Sequence, residues 1–172
     1  MKNKTELQKI FFTAIKENNI ELLEKLYDLK VDFNHFSNKE EMSPIFVAMF
    51  TKDREKSAKF LLEHGVDKNT TYKDRQILFN AVENYFSEEF VKYLISIGCD
   101  RNYFKDTFVS STAYNPYIYA TVFRSDFYSK ELILSLKPDN YKDTKYASIY
   151  LKEKLFDELF DVIENSENIS FF

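Results

Sequence analysis

Few side chains in this chain have the types and spacing that chemistry requires. Its two histidines, His35 and His64, stand 29 positions apart, not in the close pairs from which metal sites are commonly built. A single cysteine, Cys99, excludes both an internal disulfide and a cysteine-based metal cluster. Two pairs of adjacent acids, Glu40-Glu41 and Glu88-Glu89, offer carboxylates for acid–base work. Neighbours on a helix point apart, however, and acids gather at helix N-termini because the dipole stabilises them there. No Gly-rich phosphate loop and no Gly-x-Ser-x-Gly elbow occurs. These residues therefore supply no catalytic, cofactor-binding or metal-binding set, and no cofactor is expected. The enzyme alternative that survives is a small site in the irregular second half, built from tyrosines and carboxylates.

Recognition has more material. The chain is 17% aromatic, with 18 Phe, 12 Tyr and no Trp, and aromatic rings are the usual anchors of protein interfaces. At 44% hydrophobic the chain has ample material for a core, which argues against disorder. Only 2 Gly and 3 Pro punctuate it, a scarcity that favours helices joined by short polar turns over a β-rich fold. Net charge is -4. Residues 1–86 hold 14 basic and 14 acidic side chains and residues 87–172 hold 10 and 14, so the whole excess lies in the second half. With no Lys/Arg cluster to meet phosphates, direct nucleic-acid binding is not expected, and a partner with a basic surface is the natural complement. No apolar run of about 18 residues predicts a membrane span, and the start lacks the pattern of a signal peptide, so a cytoplasmic location is expected. Lys outnumbers Arg by 20 to 4 and Asn, Ile, Phe and Tyr are plentiful, a bias that an AT-rich genome produces.

The elements that must position these residues repeat. Segments 11–34, 45–69 and 78–102 share an early small residue (Ala14, Ala48, Ala81), an apolar ladder, and an Asp two positions before a closing Asn. The alanines are 34 and 33 positions apart and the closing asparagines, Asn34, Asn69 and Asn102, are 35 and 33 apart. A fixed period of that length marks a stacked array in which each unit is covered by its neighbours. Ser43-Pro44 and Asn115-Pro116 read as helix starts, an N-cap followed by a proline that needs no amide donor. Gly65 and Gly98 read as helix ends that need a left-handed residue. Lys30 occupies that place in the first unit, where positive φ is awkward for a side chain. Leu22, Leu23 and Leu26, then Phe60, Leu61 and Leu62, then Val91, Leu94 and Ile95, form the stripe that a stacked neighbour covers.

With this period, Ser43-Pro44-Ile45-Phe46 as an opening and Leu61-Leu62-Glu63-His64-Gly65-Val66-Asp67 as an ending, the chain resembles the ankyrin-repeat family. The resemblance implies an all-α solenoid of stacked helix pairs joined by short hairpin loops, in one domain over residues 1–172. Its units would cover about 5–37, 38–70, 71–104 and 110–140, followed by a helical cap over 141–167. Asn115-Pro116-Tyr117-Ile118-Tyr119-Ala120 matches the opening of the fourth unit, whereas Pro138-Asp139-Asn140 is a poor ending. The family's opening histidine is replaced by Phe46, Phe79 or Ile118. Its inter-helix Gly-His is replaced by Asn18-Asn19, Lys52-Asp53 and Phe86-Ser87. Cys99 falls where the family has alanine behind a glycine, so a buried structural thiol is expected.

The resemblance also implies a mode of action, protein–protein interaction without catalysis. Hairpin tips and the inner helices would form a concave partner-binding face, to which Lys16, Glu17, Lys39, Glu40, Met42, Phe50, Thr51, Tyr72, Lys73, Arg75, Glu83, Asn84, Tyr103, Phe104, Ser111, Thr112, Tyr114 and Phe123 are assigned. Phe104 and Phe108 belong either to that face or to the packing of the long hairpin. In the cap, Phe156, Leu159, Phe160 and Ile163 are expected to seal the last unit, with Glu153, Asp157, Glu158, Asp161 and Glu164 facing water. The apolar Ile169-Ser170-Phe171-Phe172 is expected to fold back on that cap. The array is expected to be a monomer that works as an adaptor or inhibitor, including interference with a host or defence enzyme.

Overall fold

The computed structural model describes residues 4–34, 42–102, 105–106, 113–142 and 146–165. Packing divides the chain into two compact units, residues 1–100 and 101–172. In the first, α1 (Lys4–Lys16) and α2 (Ile20–Asp28) are followed by α3 (Pro44–Ala48), a single 3-10 turn (Lys52–Arg54) and α4 (Glu55–Glu63). A two-stranded hairpin, β1 (Thr71–Tyr72) and β2 (Arg75–Gln76), then leads into α5 (Ile77–Glu83) and α6 (Glu88–Ser96). The second unit holds a hairpin of β3 (Lys105–Asp106) and β4 (Ala113–Tyr114), then α7 (Pro116–Phe123), α8 (Lys130–Ser135), α9 (Ala147–Lys152) and α10 (Phe156–Glu164). The helices come in consecutive contacting pairs, which fits an all-α repeat solenoid.

Side chains start the helices where the sequence offers a capping oxygen. Asn19, Ser87, Asn115 and Ser129 accept from the amides of Leu22, Phe90, Ile118 and Leu132 at 3.0, 3.1, 2.8 and 3.3 Å, each worth about 1 kcal/mol. Ser43 departs from its expected role: it precedes α3 but makes no side-chain cap hydrogen bond. Pro44 at the first helical position starts α3 by its fixed φ.

Helix ends follow the expected left-handed turn. Gly65 and Gly98 have φ of +88° and +79°, and Lys30 adopts φ 60° without the freedom of glycine. A Cβ at Gly65 would meet nothing within 4 Å, whereas one at Gly98 would stand 3.2 Å from Lys68 Nζ. We therefore expect Gly98→Ala to destabilise more than Gly65→Ala, the latter by about 1 kcal/mol from conformation alone. Lys30→Gly should be neutral to stabilising by a few tenths of a kcal/mol, since relief of strain opposes added unfolded-state entropy. Urea denaturation of the three variants checks the order.

Alanines carry the close approach: Ala14, Ala48 and Ala81 are all fully buried. Leu23, Leu26, Phe60, Leu61, Val91 and Leu94 are buried beside them, with Leu22, Leu62 and Ile95 half-buried at the margin of the stripe. Helix α1 packs on α2 and α3, and α2 packs on α4, so the first helix pair packs on the second. Polar links reinforce the stack. Asn18 Oδ1 accepts from both Ser57 N and Oγ at 2.8 and 2.9 Å, and Glu55 accepts from Ser87 N and Oγ at 2.9 and 2.7 Å.

The repeated Asp-x-Asn ending has a local and a long-range part. Asp32 and Asp67 each accept from the amide two residues ahead at 2.9 Å, an Asx turn. Asn34 then bridges to the next repeat, donating to Gly65 O at 3.3 Å and accepting from Asp67 N at 3.2 Å. In the second unit Asn102 accepts from Asp139 N at 3.0 Å. Arg101 reaches Ser135 O at 3.3 Å and Asp139 at 2.6 Å. Pro138-Asp139-Asn140 thus receives the same bridging contact as a regular ending.

The terminal helix pair corrects the sequence expectation. Leu159 and Val162 are buried, while Phe156 and Phe160 are 50% and 59% exposed and Ile163 is half-buried. Glu153, Glu158 and Asp161 do not simply face water: they accept hydrogen bonds from the phenols of Tyr114, Tyr117 and Tyr141 respectively. The Glu158 and Asp161 contacts hold α10 with Leu159 and Val162 buried and Phe156 and Phe160 exposed. Asp157 and Glu164 are exposed as expected. The apolar stretch 169–172 lies outside the described residues.

Candidate partner-binding face

The first hairpin is built on two consecutive left-handed residues, Lys73 (φ 48°) and Asp74 (φ 56°), between the paired residues Tyr72 and Arg75. This is the twist that two-residue hairpins need, usually supplied by Asn-Gly or Asp-Gly. Tyr72 packs on Phe46 of α3, ring centroids 5.8 Å apart, and Lys73 Nζ lies 5.2 Å from the Tyr72 ring. Arg75 Nη1 meets Glu83 Oε2 at 2.9 Å, their side chains 37% and 20% exposed. Asn84 donates to Asn80 O and Oδ1, both at 3.1 Å. Contacts thus fix the tip relative to the inner helices, and Phe50, at the end of α3, is 68% exposed.

In the second unit, Tyr114 and α7 carry a ring cluster. Tyr114, Tyr119 and Phe123 contact one another with centroids 4.9 to 6.1 Å apart. The Arg124 guanidinium lies over Tyr119 at 5.0 Å, and Tyr114 OH donates to Glu153 at 2.9 Å. Phe123 is 45% exposed.

Several expected face residues are thus brought together: Tyr72, Lys73, Arg75 and Glu83 around one hairpin, and Tyr114 with Phe123 in the ring cluster. Lys16 and Glu17 are exposed and Thr51 is half-buried. Met42 is a correction, being only 8% exposed and part of the core; an apolar thioether at the start of α3 is better satisfied by burial. Lys39, Glu40, Tyr103, Phe104, Phe108, Ser111 and Thr112 lie outside the described residues, as does His35. The spacing pattern passed over two aromatic side chains. Tyr119 is one turn before Phe123 on α7, an i, i+4 aromatic pair readable from sequence. Tyr85 is 42% exposed at φ 59°, a left-handed position where glycine is the ordinary choice.

The titratable groups serve structure. Nδ1 of His64 lies 2.7 Å from Phe60 O, so that nitrogen carries the proton it donates to the carbonyl. The ring also stacks on Phe60 and meets Tyr27 edge-on. Burial pushes the Cys99 thiol up to about 11, away from the thiolate a nucleophile needs. Burial, then the hydrogen bond to Glu158, pushes the Tyr117 phenol far up, and burial does the same to Tyr150. Such phenols are donors, not bases, at neutral pH. Raised folded-state values mean that their contribution is complete below the unfolded value near 10.0 and declines as pH rises above it. We expect the second unit to lose helix on titration from pH 9 towards 12 and Tyr117→Phe to blunt that loss, checked by circular dichroism. Among the described residues, no group of three or more His, Cys, Asp or Glu could hold a metal ion. No helix among them is long and apolar enough to cross a membrane.

No curated protein matches the chain. A family model described as ankyrin repeats, in three copies, matches residues 11–105. That match runs from within α1 to just past the third Asp-x-Asn ending, and the chain belongs to the ankyrin-repeat family.

Proposed function

We propose that this chain is an interaction module that binds a protein partner through its hairpin tips and inner-helix residues, and that it acts as an adaptor or inhibitor. Ankyrin repeats generally mediate protein–protein interaction and are typically non-enzymatic. The observation that carries the reading is the hairpin at Tyr72–Arg75, cross-linked to α3 and α5 by the Phe46 and Glu83 contacts; Phe50, two residues past α3, adds an exposed ring. Side chains already held by their neighbours lose little entropy on binding, and aromatic and arginine residues are the usual hot spots. Binding to this face would cover a partner's surface with no chemical step, which is how an inhibitor of a host or defence enzyme would work.

The experiment is affinity capture from lysate of the source organism, followed by titration of the purified partner against the native chain and a Phe50→Ser, Lys73→Glu variant. Both changes are at exposed positions, so the melting temperature should hold. Loss of affinity of about tenfold or more supports the face. Equal affinity for both proteins contradicts it.

A further inference from the structure

Helix α10 carries exposed aromatic rings and exposed acids. That helix has two faces of different use. Leu159 and Val162 are buried, and Glu158 is tied to Tyr117 OH at 2.5 Å, which accounts for the inward face. Phe156 and Phe160, at i and i+4, are 50% and 59% exposed. At 3.6 residues per turn, Phe156, Phe160, Asp157 and Glu164 fall within one arc of about 100°. Asp157 and Glu164 are exposed beside the rings. Over residues 153–167 there are six acids and one lysine. Folding does not require two phenylalanines on this face, because the pair beneath is already sealed by Leu159 and Val162.

We propose that this face of α10 docks a basic amphipathic segment of a protein partner, with lysine or arginine meeting Asp157 and Glu164 and apolar side chains covering Phe156 and Phe160. Charge complementarity selects that occupant. A second copy of this chain would bring the same acids against themselves, and like charges facing one another oppose association. The rings are also a small area for a dimer. Two half-exposed phenylalanines offer roughly 200 Å², against about 800 Å² per partner in a standard interface. The chain's own stretch 166–172, Ser-Glu-Asn-Ile-Ser-Phe-Phe, contains no basic residue to complement the face. A short basic helix or strand supplies what both lack, and its attraction weakens with salt.

The probe is a synthetic amphipathic lysine–leucine helical peptide, titrated against the full chain by isothermal calorimetry, with the glutamate–leucine counterpart as control. The lysine peptide is expected to bind in a salt-sensitive manner and the glutamate peptide not to bind. Phe156→Ser with Phe160→Ser should weaken binding by about tenfold or more and leave the melting temperature unchanged. Asp157→Lys with Glu164→Lys keeps both rings and should also weaken it, so the proposal is testable even if the serine variant folds poorly. Equal binding of both peptides, or unchanged affinity in the charge variant, overturns the proposal. So does dimerisation that the serine variant abolishes, which would make a second copy the occupant. Tighter peptide binding by Phe171→Ser, Phe172→Ser would overturn it too, by showing that the chain's own end covers the rings.

Discussion

Tyr117→Ala is expected to cost about 4 kcal/mol, the largest loss of any single change considered for the second unit. Tyr117 is 2% exposed, so truncation removes a full ring from a packed site. It also removes the phenol that donates to Glu158 at 2.5 Å, leaving a half-buried carboxylate without that donor. Tyr117→Phe separates the two effects: it keeps the ring and loses the hydrogen bond, at a cost of about 2 kcal/mol. Urea denaturation, with hydrogen exchange read on α10, measures both. If Tyr117→Phe is as stable as the native chain, the Glu158 contact adds nothing and the orientation of α10 rests on Leu159, Val162 and the Asp161 contact with Tyr141.

Glu55→Ala is expected to cost about 2 kcal/mol by disconnecting the second helix pair from the third. Its two oxygens accept from Ser87 N and Oγ at 2.9 and 2.7 Å, and Ser87 Oγ in turn caps α6 by accepting from Phe90 N at 3.1 Å. The loss therefore falls on a start of helix as well as on an inter-repeat link. Glu55→Gln retains an acceptor and should recover much of the stability. In a repeat array, stability is the sum of unit terms and neighbour terms. The signature of a lost neighbour term is a broader denaturation transition, not only an earlier one. A transition shifted without broadening would mean that Glu55 acts only within its own pair.

What was legible in the sequence was the part that repeats. The spacing of Ala14, Ala48 and Ala81 places three residues that are all fully buried, because close helix approach tolerates nothing larger. Gly65 and Gly98 announce left-handed helix ends, and Lys30 takes the same conformation because position, not residue type, sets the turn. The Asp-x-Asn ending was visible as a pattern, but its long-range half was not, since Asn34 to Asp67 and Asn102 to Asp139 are contacts between units. Helical spacing alone misjudged α10: 156, 159, 160 and 163 form a good apolar stripe on paper. Phenol donors at Tyr117 and Tyr141 draw acids inward and turn the helix. Periodicity counts carboxylates as solvent-facing and cannot see partners supplied by tyrosines about 20 to 41 positions away. For the proposed binding face, residue types point to Tyr72 and Arg75, which pair in the first hairpin, and also to Met42, which the core takes.

We propose that the hairpin tips and inner-helix residues are the working surface of this chain. Hydrogen–deuterium exchange of the full chain with and without its purified protein partner tests it most directly. New protection is expected at residues 50–51, 71–76 and 83–85, with α2 and α4 unchanged. Protection of α2 and α4, with the 71–76 hairpin exchanging as it does in the free protein, would contradict it.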